Sequence, residues 1–173
     1  MKQMMLIIAL TLTAWQATGQ DNRQYIVKVG DPAPDIELIS LDGSRQRLGD
    51  LRGRVVMLQF TASWCGVCRQ EMPHIERDIW LKHKSNPAFR LYGVDLKESK
   101  EVTEKFAADM HITYPLLLDP EGKAFYAIAE QGAGVTRNVI IDQQGNIAFL
   151  TRLYDKQEFS QMIAVIEKLL LSK

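Results

Sequence analysis

Cys65 and Cys68 are the two cysteines of this 173-residue sequence, three positions apart in Trp64-Cys65-Gly66-Val67-Cys68. A structural disulfide stabilises chiefly by closing a long loop in the unfolded chain, and a loop this short gains little. Structural zinc needs a tetrahedral ligand set, and the remaining candidates, His74, His83 and His111, lack a paired zinc spacing. Haem attachment requires a histidine directly after the second cysteine, where this chain has Arg69. Thiol–disulfide exchange suits the pair best. A thiolate attacks a disulfide, a mixed disulfide forms, and a second thiol displaces the product.

The surrounding pattern says how such a pair is positioned. Val55 to Phe60 is a nearly unbroken apolar run, as expected of a strand buried on both faces. After the cysteines, Cys68, Met72, Ile75 and Ile79 recur on one face of a helix that Pro73 should kink. Cys65 then stands at the helix N-terminus, where free N–H groups and the helix dipole favour a thiolate. Cys65 is the expected nucleophile, and Cys68, one turn inward, the resolving thiol. Glu71 shares the helix face of Cys68 at i+3. A carboxylate partly buried there could have a raised pKa and accept the Cys68 proton.

Further strands are predicted at 35–40, 89–95 and 116–118, with an Asp42-Gly43 hairpin turn after the first and a final hairpin over 139–150. Ser99 is the expected cap of a helix burying Val102, Phe106 and Met110, and a small helix is expected at 123–129. Asp155 and Glu158 open a last helix burying Phe159, Met162, Ile163, Ile166, Leu169 and Leu170. Tyr92, Phe106 and the Met72 stripe are assigned to the core. The class is α/β, a central mixed sheet flanked by helices.

A chain that is 46% hydrophobic and 24% charged can build one domain with a real core. Its 21 basic and 21 acidic residues provide no basic face, so nucleic acid is not an expected partner. Lys2, the apolar run Met4 to Trp15 and small residues at Ala17 and Gly19 have the layout of a secretory signal. A spanning helix wants about 20 apolar residues, and this run is shorter. The expectation is a cleaved signal peptide, 1–19, and one domain over 28–171 in an exported, periplasmic protein. Membrane contact arises only if the leader is kept.

Phe60-Thr61-Ala62-Ser63-Trp64-Cys65-Gly66-Val67-Cys68-Arg69-Gln70-Glu71-Met72-Pro73 resembles the TlpA/ResA-like, redoxin-type branch of the thioredoxin superfamily. Gly30 to Asp35, Gly53, Tyr114 to Asp119 and Val139 to Gly145 match its other features in order. The resemblance implies a thioredoxin fold with an N-terminal β-hairpin extension, acting on protein disulfides and thiols outside the cytoplasm. It implies no cofactor beyond the Cys65–Cys68 disulfide and electrons drawn from an external membrane reductase. In several relatives the task is keeping apocytochrome c thiols reduced. Glu71 and Glu98 match branch glutamates near the active site, while Gln59 replaces the buried strand aspartate of thioredoxins. Trp64, Gly66, Val67, Val135 and Thr136 are the expected substrate contacts, Val135 through its backbone.

Two positions depart from the family pattern. Gly66-Val67 lacks the proline that relatives usually have before the second cysteine. Thr136 stands where relatives have a cis proline, so the loop is either cis at a cost of about 3–4 kcal/mol or trans and reshaped. Its hydroxyl, if near the sulfurs, should lower the Cys65 pKa.

Threonine there also brings a peroxiredoxin-like thiol peroxidase into view. Peroxidatic cysteines follow Pro-x-x-x-Thr/Ser-x-x-Cys, and counting back from Cys65 gives Ala62 and Leu58. A non-enzymatic binding module would have no use for both cysteines. The expected outcome is therefore that the protein reduces insulin disulfides and does not consume peroxide. Paired assays of insulin turbidity and peroxide loss check this, and peroxide turnover without insulin reduction would reverse the assignment.

Overall fold

The computed structural model describes residues 23–172, and the expected signal peptide lies outside them. The chain's organisation starts from β3 (Val55–Thr61), seven residues that are all buried. Such a strand needs a neighbour on each side and a layer on each face. β4 (Phe89–Leu96) runs parallel to it on one side, and β6 (Arg137–Ile141) antiparallel on the other. Beyond β4 lie β5 (Leu116–Asp119) and the hairpin of β1 (Glu37–Ser40) and β2 (Arg45–Arg47). β7 (Ile147–Arg152) closes the other end, giving the order β2-β1-β5-β4-β3-β6-β7. This is the mixed sheet of a thioredoxin fold with the expected N-terminal hairpin.

Parallel neighbours require crossover connections. Between β3 and β4 the chain forms α1 (Gly66–Ile75), a π-helical turn (Glu76–Trp80) and a short α2 (Leu81–His83). Pro73 does not stop this helix. The chain accommodates it within α1 and shifts to π-helical bonding one turn on, a common response to a disrupted ladder. Between β4 and β5 runs α3 (Lys100–Asp109), capped by Ser99, whose hydroxyl accepts the Val102 N–H at 3.4 Å. Its inner face is Thr103 and Phe106. Val102, assigned to the core by spacing, is 41% exposed, because the face turned to β5 is offset by one residue. Tyr92 is half-buried rather than core, its hydroxyl reaching Gln46 at 3.5 Å.

α4 (Lys123–Tyr126) is shorter than predicted and is anchored by Asp119, whose carboxylate accepts the N–H groups of Ala124 and Phe125. Phe125 meets Phe60 edge-on at 5.7 Å, so α4 covers one face of β3. The opposite face carries Gln59 and Thr61, and Thr61 Oγ1 contacts Met72 Sδ at 3.6 Å, which seats α1 there. α5 (Lys156–Leu171) begins at Asp155, which accepts the Glu158 N–H at 2.8 Å, and buries Phe159, Met162 and Ile166. Ile163, Leu169 and Leu170 are only half-buried.

Gly93 stands where β4 and β5 pack closely, paired with Leu116. A Cβ there would stand 2.2 Å from Leu116 Cδ2 and 3.2 Å from Tyr114 Cε2. Gly93→Ala is expected to lower stability by about 1–3 kcal/mol through overpacking, read as a drop in Tm.

Candidate active site

β3 delivers the chain to the active site, and α1 begins there. Cys65 is the N-cap of α1, with extended backbone, and its sulfur accepts the Cys68 N–H at 3.2 Å. A sulfur in a capping position faces unsatisfied helix donors, the setting that favours a thiolate. Cys65 and Cys68 form a disulfide with their Cα atoms 5.3 Å apart. Cys65 is 7% exposed and Cys68 fully buried, so an incoming sulfur can reach only the first.

Trp64 is 67% exposed beside the pair, Gly66 is exposed and Val67 half-buried. Val135 and Thr136 are buried at 4% and 3%. Every peptide bond among the described residues is trans, including the one before Thr136, so the loop takes the reshaped course. It brings Thr136 Oγ1 to 3.1 Å from Cys65 Sγ and 3.3 Å from Cys68 Sγ.

Glu98 lies beneath the loop that carries Trp64 and Cys65. Its carboxylate accepts the Ser63 N–H and hydroxyl, both at 2.6 Å. Arg69 Nε donates to the Ser63 carbonyl at 2.8 Å while its guanidinium lies over the Phe106 ring. Glu98 thus grips the loop rather than the sulfurs. Asp95, fully buried at the end of β4, has its carboxyl pushed up to about 8, first by burial and then by the neighbouring Glu98 carboxylate.

Glu71 is 1% exposed, one helical turn below Cys68. The helix face that buries Cys68, Met72 and Ile75 carries it inward. Asn138 Nδ2 donates to Glu71 Oε1 at 2.7 Å and lies 2.8 Å from Thr151 Oγ1. Asn138 is opposite Gln59 in the β3–β6 register, and Gln59 Oε1 accepts the Tyr114 hydroxyl at 2.6 Å. Burial pushes the Glu71 carboxyl up to about 7, partly offset by the amides of Asn138 and Gln59. Glu71 Oε2 and Gln59 Nε2 have no partner of ordinary hydrogen-bond geometry. A carboxyl that titrates near neutrality next to a buried thiol can exchange a proton with it.

Sequence reasoning passed over Asn138, Tyr114 and Asp95. Each had a signal: a polar residue set among apolar ones in Asn138-Val139-Ile140 and Val94-Asp95-Leu96, and an aromatic with a hydroxyl before Pro115. Among the described residues, no group of three or more His, Cys, Asp or Glu side chains could hold a metal ion.

A disulfide at a strand-to-helix junction of this mixed sheet, one sulfur accessible and the other buried above an acid, defines a thioredoxin-fold thiol–disulfide oxidoreductase. The chain belongs to the Redoxin family, whose profile matches residues 28–168. It is similar to the thiol-disulfide oxidoreductase ResA of Geobacillus thermodenitrificans, 31% identical over 94% of this chain and 93% of that one. Among solved structures it resembles a candidate protein disulfide isomerase from Bacteroides thetaiotaomicron (52% identity, TM-score 0.83, covering 86% of this chain and 94% of that one). It also resembles a candidate thiol:disulfide interchange protein DsbE from Chlorobium tepidum (28% identity, TM-score 0.71, 83% and 99%). It is an oxidoreductase of this ResA/DsbE type, with Cys65 and Cys68 as its redox-active pair.

Glu71 couples the site to stability. Its carboxyl ionises at 4.5 in the unfolded chain and about 7 in the fold, so the folded state holds the proton longer. Glu71's contribution to stability is therefore fully present below pH 4.5 and is lost as pH rises through about 7, alongside a separate loss from Asp95, whose carboxyl is raised to about 8. Glu71→Gln should remove the first of these losses, gaining on the order of 3 kcal/mol above neutrality. Denaturant titrations at acid and alkaline pH check it, and parallel losses in both proteins would contradict it.

Proposed function

We propose that the protein works outside the cytoplasm as a dithiol reductase of protein disulfides. The observation that carries the reading is the unequal burial of the two sulfurs, with Cys65 at 7% and Cys68 at 0%. In the reduced protein the Cys65 thiolate attacks one sulfur of a substrate disulfide, forming a mixed disulfide and releasing the other as a thiolate. Glu71 takes the proton from the Cys68 thiol, and the Cys68 thiolate attacks Cys65. The substrate leaves as a dithiol and the Cys65–Cys68 disulfide is restored. Two electrons pass in each cycle, and a dithiol on an external membrane reductase would resupply them. Glu71 is the proton acceptor in this scheme, and Glu98 holds Ser63 so that Trp64 and Cys65 are presented together.

The leader-like residues 1–19 and the resemblance to the exported TlpA/ResA-like branch support location in the periplasm or an equivalent compartment, with the domain occupying 28–171. The same resemblance makes apocytochrome c one substrate class for the reductase. Trp64 and Gly66 offer substrate an exposed surface beside Cys65, with Val67 at its margin; Val135 and Thr136 would act from beneath it.

Cys65→Ser is expected to abolish insulin reduction, whereas Cys68→Ser should accumulate mixed disulfides that a reductant releases. Non-reducing electrophoresis after an alkylation quench distinguishes the two. Equal trapping by both variants would overturn the assignment of nucleophile and resolver.

A further inference from the structure

The Thr136 hydroxyl is buried against the redox pair. Among the described residues its hydrogen-bond partners are the two sulfurs, at 3.1 Å and 3.3 Å. Its position is set from both sides. The Thr136 carbonyl accepts the Leu153 N–H at 3.0 Å, and the next residue, Arg137, enters the sheet opposite Phe60. The side chain is 3% exposed, so water is not a ready substitute partner. A buried hydroxyl placed this way has a poor outlet while the disulfide is intact, because divalent sulfur is a weak acceptor. Reduction changes the acceptor. A thiolate carries a full charge, and hydrogen bonds to charged groups are about twice as strong as neutral ones.

We propose that Thr136 is a catalytic residue that stabilises the reduced, thiolate-bearing state and thereby makes the Cys65–Cys68 couple more oxidising than the same scaffold without the hydroxyl. Its nearly equal reach to both sulfurs gives it two successive tasks. In the free dithiol it donates to the Cys65 thiolate alongside the Cys68 N–H, which already points at that sulfur at 3.2 Å. Once Cys65 is tied up in the mixed disulfide, the same hydroxyl is within reach of the Cys68 thiolate that must form next. The inference rests on the Cys65–Cys68 pair being the working redox couple and is independent of the physiological direction of electron flow.

The test is equilibration of the full protein with glutathione. Protein disulfide plus two glutathione thiols gives protein dithiol plus glutathione disulfide, a two-electron exchange. Wild type, Thr136→Val and Thr136→Ser are compared, with Thr136→Ala as a second hydroxyl-free variant should the valine fold poorly. Loss of one charge-assisted bond should shift the equilibrium about tenfold toward the disulfide in the valine and alanine variants, about 30 mV more reducing. Serine should restore the wild-type value to within about twofold. The gap should narrow as pH falls and the Cys65 thiolate is protonated, and thiolate absorbance titrations should show a higher Cys65 pKa in the valine and alanine variants. Superimposable equilibria, or a shift that persists undiminished at acid pH, overturn the role of Thr136 while leaving the redox couple standing. Failure of all the proteins to exchange with glutathione overturns the couple itself and this inference with it.

Discussion

Helix α1 has to keep the face formed by Cys68, Met72 and Ile75 dry against β3, and Glu71, one turn on from Cys68, is carried inside with it. The polar cluster of Glu71, Asn138 and Gln59 follows from that placement. A carboxyl removed from water must either stay neutral or find donors. Here the sheet supplies one full donor, Asn138, and a second amide nearby, Gln59, whose Nε2 makes no ordinary hydrogen bond. Asn138 comes from β6 and Gln59 from β3, facing each other across one pair of the ladder, and Tyr114 and Thr151 hold the two amides in turn. The result is an acid with both protonation states accessible near neutral pH, one helical turn from Cys68. Complete satisfaction would have fixed it as a permanent anion. Complete isolation would have kept it a permanent acid.

Two other acidic groups, Glu98 and Glu76, share one physical device. Glu98 is partly buried and spends both oxygens on Ser63, which makes it a brace for the loop before Cys65. Glu76 repeats the device on the π-helical turn after Pro73. It accepts the Thr113 N–H at 2.8 Å and the Thr113 hydroxyl at 2.6 Å, which secures the approach to Tyr114. In each case one carboxylate satisfies a backbone N–H that a turning chain would otherwise leave unpaired and holds the hydroxyl of the same residue. Glu71 has no such commitment to backbone, which leaves it available for proton exchange.

Much of this was legible in the amino-acid order. The unbroken apolar run 55–60 announced a strand buried on both faces, and the i, i+4, i+7 spacing after it announced the helix face that carries Cys68. The helix starts at Ser99 and Asp155 were legible because capping is a local interaction between residues three apart. What could not be read was anything that depends on which strand lies beside which. Asn138 faces Gln59 only because β6 returns antiparallel to β3, and no local pattern encodes that distance of 79 residues along the chain from 59 to 138. The course of the loop at Thr136 was undecided for the same reason. Local sterics favour trans before a threonine by about 3–4 kcal/mol, and nothing in the surroundings overrides them. Val102 shows the limit of periodicity itself, since a one-residue error in the face, about 100° of helix, exposes one apolar residue and buries Thr103 in its stead.

A sheet of seven strands has two edges, and each is open to uninvited strand addition unless something blunts it. At one edge β2 consists of Arg45, Gln46 and Arg47, all exposed, so an approaching strand meets polar and ion-paired side chains, Arg45 with Glu37 and Arg47 with Asp35, and little apolar surface. At the other, the segment before β1 lies along β7, where the Gly30 N–H donates to the Ile147 carbonyl and the Ile147 N–H to the Asp31 carbonyl. Pro32 continues this contact as a bridge to Asn146 while offering no N–H of its own to a further strand. The stretch just upstream of the fold is thus a selvedge, stitching closed the border where aggregation would otherwise begin.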